Sequence, residues 1–237
     1  MSELIAEQLP LGRRRLPDPG VVELWISDVA AFPLTGDQPP SGRQERRRVL
    51  RFRQRFVLRL LLGSYLGLAG KDIRFDYGPA GKPALSADLA PSGLCFNVSH
   101  SGDWLAIALA RDRAVGVDIE RRRELARSAA LARRFLAPAE AQFIQELDEP
   151  DRSARFLALW SRREALVKAM GASVVASLGD LELDPRSGQA RRLPSQWPDG
   201  PSWSLSQPAL PPALVGAVAV AAPDWTVSTR VLALARP

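Results

Sequence analysis

Two carboxylates separated by one residue, Asp118 and Glu120, are the side chains of this 237-residue chain that most clearly indicate a reactive or binding site. They lie in an alternating segment typical of a β-strand, in which side chains i and i+2 face the same side. The acids therefore project together while Val117 and Ile119 face the core. Two carboxylates without a nearby histidine or cysteine favour a hard cation such as Mg²⁺. A strand end whose acids pair with the arginines at 121–123 would show the same pattern, so both interpretations stay open.

A second pair, Glu164 and Lys168, is four residues apart in a segment with helical periodicity, which predicts that both lie on one helix face. Lys168 is one of three lysines, whereas the other 29 of the 32 basic residues are arginine. A lysine retained in so arginine-rich a chain indicates a site that needs a compact ammonium group, because the two side chains are not interchangeable. An ordinary surface ion pair would have the same spacing.

Two further motifs supply groups that bind anions. The single histidine, His100, stands between Ser99 and Ser101 at the end of a predicted strand, and these donors suit an anion. No Gly-x-Ser-x-Gly motif accompanies them, so serine-hydrolase chemistry is not expected. The turn Gly81-Lys82-Pro83 combines close backbone approach with a point charge suited to phosphate, although a plain surface turn has the same composition.

The net charge of +6 is concentrated in one segment. Residues 43–59 contain eight arginines and one acid, a local charge of +7, which leaves about −1 for the other 220 residues. The arginines are Arg43, Arg46, Arg47, Arg48, Arg51, Arg53, Arg55 and Arg59. This segment predicts a nucleic-acid surface, a pocket for a phosphorylated small molecule, or only a solvated helix face.

The elements that must position these residues follow from the same periodicities and from turn residues. The predicted strands are Val21–Ser27, Ile73–Tyr77, Leu94–Val98, Trp104–Ala110, Val115–Glu120, Leu178–Leu183, Trp203–Ser206, Val215–Ala221 and Thr226–Leu234. The predicted helices are 44–67, Ala126–Leu136, Pro138–Leu147 and Arg152–Met170. Segments 104–112 and 216–224 share an alternation that ends in aspartate, which hints at a duplicated α+β unit.

Composition excludes several classes of protein. The apolar fraction of 46% is that of a globular chain, and no apolar run approaches the ~20 residues of a membrane span. One cysteine, Cys95, excludes an internal disulfide, and residues 1–10 lack the apolar core of a signal peptide. A soluble cytoplasmic protein without membrane attachment is therefore expected.

Three motifs taken in order carry a family resemblance. Phe-Asn-Val-Ser-His-Ser at 96–101, Gly-Val-Asp-Ile-Glu at 116–120 and Trp-Ser-x-x-Glu-Ala-x-x-Lys-Ala-x-Gly at 160–171 closely resemble the Sfp-type 4′-phosphopantetheinyl transferases. The Gly-Lys-Pro turn and an arginine-rich helix also occur at matching places. The chain departs from the family at Arg163, where a lysine is usual before the glutamate, and the substitution keeps the charge.

The resemblance implies an α+β fold of two similar halves, residues 1–112 and 113–237, with the active site between them. It implies transfer of 4′-phosphopantetheine from coenzyme A to a serine of an apo acyl or peptidyl carrier protein, with Mg²⁺ as cofactor and adenosine 3′,5′-bisphosphate as the product released. It also implies a monomer that binds neither nucleic acid nor membrane.

Individual roles come with the resemblance. Asp118, Glu120 and Glu164 would hold Mg²⁺, with Glu164 also the candidate base, directly or through a water molecule. Lys168 would act catalytically by neutralising charge. The residues expected to bind coenzyme A are Arg46, Arg59, Lys82, Asn97, Ser99, His100, Asp118 and Lys168.

Two other functions share part of this pattern. A Mg²⁺-dependent enzyme that acts on another nucleotide would use the same carboxylates and arginines, and a non-enzymatic nucleic-acid binder would need only the basic segment. The sequence does not indicate which carrier protein is served, and the residues after Gly171 carry almost no motif.

Overall fold

The computed structural model describes residues 4–32, 42–78, 81–171, 180–195, 197 and 203–234. The helices in these ranges are α1 (Arg43–Leu66), α2 (Ser128–Phe135), α3 (Pro138–Gln145) and α4 (Asp151–Met170). The strands are β1 (Ile5–Leu9), β2 (Val21–Asp28), β3 (Phe75–Tyr77), β4 (Pro83–Leu85), β5 (Leu94–Ser101), β6 (Trp104–Arg111), β7 (Val115–Arg121), β8 (Glu182–Leu183), β9 (Ala190–Arg192), β10 (Ser204–Ser206), β11 (Leu214–Val220) and β12 (Thr226–Leu234). The mixed content confirms the predicted α+β class.

The larger sheet has the strand order β1-β12-β2-β6-β5. Strand β12 runs parallel to both β1 and β2, while β6 is antiparallel to β2 and β5. Helix α1 covers this sheet with an apolar stripe that includes Val57, Leu61 and Leu62, and it ends at Gly67 in the left-handed conformation. Because β12 joins a sheet built mainly from the first half of the sequence, one strand crosses the expected boundary at residue 112. The division into two halves stays a prediction.

The smaller sheet has the order β10-β11-β7, and α4 packs across β7 and β11. The contact between α4 and β7 is so close that a Cβ atom on Gly116 would lie 2.0 Å from the carbonyl oxygen of Ala165. Only glycine fits there. The close approach fixes how α4 lies against the strand that carries Asp118 and Glu120.

The two sheets meet along β5 and β7, which are edge strands of their respective sheets. Three side chains at alternate positions of β5, Asn97, Ser99 and Ser101, reach across to β7. Their oxygens accept hydrogen bonds at 2.9, 3.2 and 3.0 Å from the backbone N–H groups of Val117, Ile119 and Arg121, respectively. Side chains thus take the place of a carbonyl ladder at this seam, which we call the β5–β7 seam.

The structure confirms most predicted elements to within two residues at each end. Sequence periodicity missed three short strands, β1, β4 and β9, which are too short or too exposed to show alternation. Of the predicted strand 178–183, only Glu182–Leu183 is a strand, and residues 178–179 lie outside the described ranges. Asp112 and Asp224, which end the two similar segments, both have positive φ, 55° and 59°.

None of the described helices combines the length and hydropathy that a transmembrane span requires.

Arg163, the departure from the family pattern, lies in the core. Its side chain and that of Glu140 are both 0% exposed and form an ion pair. Glu140 also accepts hydrogen bonds from the N–H groups of Ala137 and Leu183 at 2.8 and 2.6 Å. The pair therefore ties α4 to the start of α3 and to β8, a structural role that arginine performs as an always-charged donor.

We predict that Glu140→Gln or Arg163→Met lowers the free energy of unfolding by about 3–5 kcal/mol, because each leaves an uncompensated buried charge or donor. Urea unfolding measures the loss. The double variant Glu140→Met/Arg163→Met should lose less than the sum of the single variants. Arg74→Gln, which breaks an exposed ion pair with Asp88, is the control and should change stability little. Additive losses in the double variant would contradict the ion-pair interpretation.

Candidate active site

Asp118 is the most enclosed of the three candidate carboxylates. Its side chain is 8% exposed, and Oδ1 accepts hydrogen bonds from Lys168 Nζ at 2.7 Å and from Ser99 Oγ at 2.8 Å. Burial raises the pKa of the Asp118 carboxyl, and Lys168 and Ser99 oppose this shift. Its other oxygen, Oδ2, is buried and has no hydrogen-bond partner among the described residues. That oxygen is an acceptor available to a cation.

Glu120 lies two residues further along β7, and its carboxylate also accepts a hydrogen bond from a serine of β5. Its Oε2 accepts hydrogen bonds from Ser101 Oγ at 2.9 Å and from Arg123 Nη1 at 3.2 Å. Asp118 and Glu120 thus face β5 together, as the strand alternation predicts. The pairing with an arginine from 121–123, the other interpretation of the spacing, also occurs, but for Glu120 only.

Glu164 on α4 lies in the electric field of these two carboxylates. Burial, then the charge of Asp118, raises its pKa from 4.5 to about 7, while Lys168 opposes the shift and Glu120 adds to it. Without a bound cation, the group therefore keeps its proton to a higher pH than an ordinary glutamate does. A carboxyl with such a pKa can accept or release a proton under physiological conditions.

Lys168 connects α4 to the seam. Besides its ion pair with Asp118, its Nζ donates to Ser99 Oγ at 3.2 Å. The structure thus brings together five predicted site residues around one point of the β5–β7 seam. They are Ser99, Asp118, Glu120, Glu164 and Lys168. In the ranges that the structure describes, no three acidic, histidine or cysteine side chains form a ready-made metal cluster.

A cavity of about 350 Å³ lies between α1 and the end of β5. Its walls carry arginines and aromatic rings, a combination suited to an anion that bears a planar ring. The lining residues are Arg51, Gln54, Arg55, Leu58, Arg59, Phe75, Tyr77, Pro83, Val98 and His100. Because Ser99 faces Asp118 while His100 lines this cavity, the basic cavity and the carboxylate cluster meet at neighbouring residues of one strand.

Arg46, which was expected to bind coenzyme A, lines a different cavity of about 480 Å³, which also contains Arg43, Arg47 and Asp103. The separation follows from helix geometry. Residues 46 and 55 are nine positions apart, and at about 100° per residue they lie roughly 180° apart around α1. The residues expected from the sequence did not include Arg51 and Arg55, which line the cavity with His100. Their four-residue spacing with Arg59 would have placed all three near one helix face.

Two other expected coenzyme A ligands make hydrogen bonds within the protein. Arg59 Nη1 donates to the carbonyl oxygens of Gly70 and Ile73 at 3.0 and 2.5 Å, and its guanidinium lies 5.1 Å from the Phe75 ring centre. Asn97 is buried in the seam, where it accepts from Val117. Arg59 still lines the basic cavity, whereas Asn97 does not. Their contacts with coenzyme A stay predictions.

Lys82 is also engaged inside the protein. Its Nζ donates to the carbonyl oxygens of Lys168, Val115 and Ala169 at 2.6, 3.3 and 3.3 Å. The side chain therefore joins the turn after β3 to the end of α4 and the start of β7, and it does not line the cavity that contains His100.

Comparison with known proteins covers most of the chain. The family model of the 4′-phosphopantetheinyl transferase superfamily matches residues 114–215, which include Asp118, Glu120, Glu164 and Lys168. The 4′-phosphopantetheinyl transferase HetI of Nostoc sp. is 33% identical over 89% of this chain and 94% of its own length. The chain belongs to the 4′-phosphopantetheinyl transferase family.

Other members of the family support the assignment over shorter stretches. A putative 4′-phosphopantetheinyl transferase of Synechocystis sp. is 32% identical over 82% of each chain. The 4′-phosphopantetheinyl transferase Sfp of Bacillus subtilis is 31% identical over 48% of this chain and 49% of its own. The resemblance seen in the sequence motifs is thereby confirmed, and the chain is a transferase of this type.

The raised pKa of Glu164 predicts a pH-dependent stability in the metal-free protein. Between pH 4.5 and about 7 the folded protein retains a proton that the unfolded chain has lost, so stability falls as pH rises through this window. Glu164→Gln removes the carboxyl group that takes up the proton. Urea unfolding of both proteins between pH 5 and 8 in the presence of a chelator should show the wild type losing stability relative to the variant as pH increases. A constant difference would contradict the raised pKa.

Proposed function

We propose that the protein transfers the 4′-phosphopantetheinyl group of coenzyme A to a serine of an apo acyl or peptidyl carrier protein and releases adenosine 3′,5′-bisphosphate. The observation that carries the proposal is the junction at Ser99 and His100. One side of β5 contacts Asp118, Glu120 and Lys168, with Glu164 close enough to feel their charges, and the neighbouring residue lines a basic, aromatic cavity. Such a pair of sites suits a substrate with a diphosphate at the reacting end and a phosphorylated nucleoside behind it.

The carboxylate oxygens of Asp118, Glu120 and Glu164 are of the chemical type that Mg²⁺ prefers, although they are not preassembled as a metal cluster. The unpaired, buried Oδ2 of Asp118 is the strongest indication, because a buried carboxylate oxygen without a hydrogen bond is costly unless a cation binds it. We propose that Asp118, Glu120 and Glu164 hold the ion, with diphosphate oxygens of coenzyme A completing its oxygen ligands. When bound, the ion supplies charge neutralisation at the transferring phosphorus and at the leaving group.

The protein groups have distinct tasks in this proposal. Glu164, in its ionised form, accepts the proton of the carrier serine, directly or through a water molecule. The serine oxygen attacks the phosphorus that bears the pantetheine arm, and the bond from that phosphorus to the bridging oxygen of the diphosphate breaks. Lys168, held between Asp118 and Ser99, stabilises the negative charge that gathers there.

The basic cavity is proposed to bind the nucleotide end of coenzyme A. Arg51, Arg55 and His100 offer donors to its phosphates, and Phe75 and Tyr77 offer aromatic faces to the adenine. Arginines 51 and 55 thus replace Arg46 as the proposed ligands from α1, because they share a cavity with His100.

The central test is incubation with coenzyme A, Mg²⁺ and an apo carrier protein, followed by intact-mass measurement of the carrier. Asp118→Ala and Glu164→Ala should lower transfer by about 10²–10³-fold or more, because each removes a charge that acts on the reacting phosphate. Chelation should stop transfer, and added Mg²⁺ should restore it.

Glu146→Ala, an exposed carboxylate at the end of α3, is the matched control and should retain activity. Far-ultraviolet circular dichroism checks that the inactive variants are folded. The proposal fails if neither fatty-acid-type nor peptide-synthetase-type carriers gain phosphopantetheine. Turnover of ATP under the same conditions, without carrier modification, would instead support an enzyme acting on another nucleotide.

The two cavities on α1 give a second prediction. Arg55→Gln should weaken coenzyme A binding roughly ten- to hundredfold, since a charge-assisted hydrogen bond contributes about 1.5–3 kcal/mol. Arg46→Gln, in the other cavity, should have a much smaller effect. Titration calorimetry with coenzyme A and with dephospho-coenzyme A measures both. If Arg55 meets the 3′-phosphate, its variant loses affinity for coenzyme A but not for the dephospho form. Equal losses in the two arginine variants would contradict the assignment.

A further inference from the structure

Lys82 forms a three-way hydrogen-bonded junction that the proposed chemistry does not use. The carbonyl oxygens of Lys168 and Ala169 belong to the last turn of α4, and that of Val115 belongs to the first residue of β7. All three accept from the single Nζ atom of Lys82, at 2.6, 3.3 and 3.3 Å. The side chain is partly buried, and burial lowers the pKa of its ammonium group.

The chemistry of this junction requires an ammonium group. The last carbonyl oxygens of a helix form the negative end of its dipole, so a cation there is favourable. The carbonyl oxygen of Lys168 also accepts from the N–H group of Gly171 at 3.1 Å, and a carbonyl oxygen has a second lone pair for Lys82. An ammonium nitrogen has three N–H bonds and can serve three converging oxygens, whereas no guanidinium nitrogen has more than two. This explains why a lysine persists at position 82 in a chain with 29 arginines and three lysines.

The junction controls the position of a site residue. The main-chain oxygen of Lys168 is held by Lys82, while the side chain of Lys168 reaches Asp118 on β7. The same two elements touch at Gly116, where the α4 backbone leaves no room for a Cβ atom. A shift of the last turn of α4 along β7 would therefore move the Lys168 ammonium relative to Asp118.

We propose that Lys82 is a positioning residue, which clamps the end of α4 to β7 and so holds the Lys168 ammonium at Asp118, and that it is not a ligand of the coenzyme A phosphates. The assignment of a catalytic effect to this clamp rests on the proposed function. The clamp itself is a property of the protein without substrate.

Lys82→Arg separates the two roles. Arginine pairs with phosphate at least as well as lysine, so a phosphate ligand would tolerate this change. A clamp of three carbonyls around one nitrogen would not. We expect Lys82→Arg and Lys82→Met both to lower kcat by about tenfold or more, while KM for coenzyme A changes less than about threefold. Lys71→Arg, at an exposed lysine in the 3₁₀ turn after α1, is the matched control and should behave as wild type.

Hydrogen exchange supplies a readout that needs neither coenzyme A nor carrier protein. In both Lys82 variants the amides of residues 167–171 should exchange faster than in wild type and in Lys71→Arg, because the last turn of α4 is released. If the variants exchange faster but no carrier is modified by the wild type, the clamp stands and the proposed function fails. Wild-type kcat together with unchanged exchange in Lys82→Arg would overturn the clamp.

A measurement on the wild type covers the case in which the variants do not fold. With three lysines in the chain, the ammonium ¹⁵N–¹H signal of Lys82 can be assigned through its backbone connectivity. The clamp predicts slow hydrogen exchange of this signal in the free protein and little shift when coenzyme A is added. Rapid exchange, or a large shift on coenzyme A binding, would favour a phosphate ligand and overturn the proposal.

Discussion

The β5–β7 seam is the constraint on which the rest of the structure depends. Asn97, Ser99 and Ser101 bond through their side chains to the backbone of β7, so side chains join these two strands in place of a carbonyl ladder. The serine hydroxyls still have a proton to donate after accepting from β7, and each donates it to a carboxylate of β7. One set of polar side chains thus joins the two sheets and orients the acids.

Three carboxylates can lie near one another in a partly buried site because the negative charge of each is balanced in a different way. Asp118 is paired with Lys168, and Glu120 is bonded to Ser101 and Arg123. The raised pKa of Glu164 reduces the repulsion among the three groups, since its protonated form carries no charge for the other two carboxylates to repel. Three acids with two cationic partners, Lys168 and Arg123, leave a negative charge that a bound cation would balance.

The periodicity of strands and helices in the sequence predicted which side chains share a face. The alternation around Asp118 and Glu120 and the helical spacing of Glu164 and Lys168 placed all four side chains correctly, because strand and helix periods fix which residues share a face. Arg46 lines a different cavity from His100, because the face of α1 that meets β5 depends on how the helix packs, and its contact with coenzyme A stays a prediction.

Other features could not be read because their partners are remote in sequence. The roles of Arg163 and Lys82 depend on Glu140 and on the carbonyls of α4, which no sequence spacing connects to them. The strand order β1-β12-β2 could not be predicted either, since nothing in residues 226–234 indicates that they lie between β1 and β2.

That order has a consequence for how the chain folds as it is made. Strand β12 fills the place between β1 and β2, yet it emerges from the ribosome roughly two hundred residues after them. Until it arrives, β2 exposes an unpaired edge with an apolar face, the kind of surface that chaperones shield. The larger sheet therefore cannot be completed before residues 226–234 have been synthesised, and pairing between strands so remote in sequence favours slow folding.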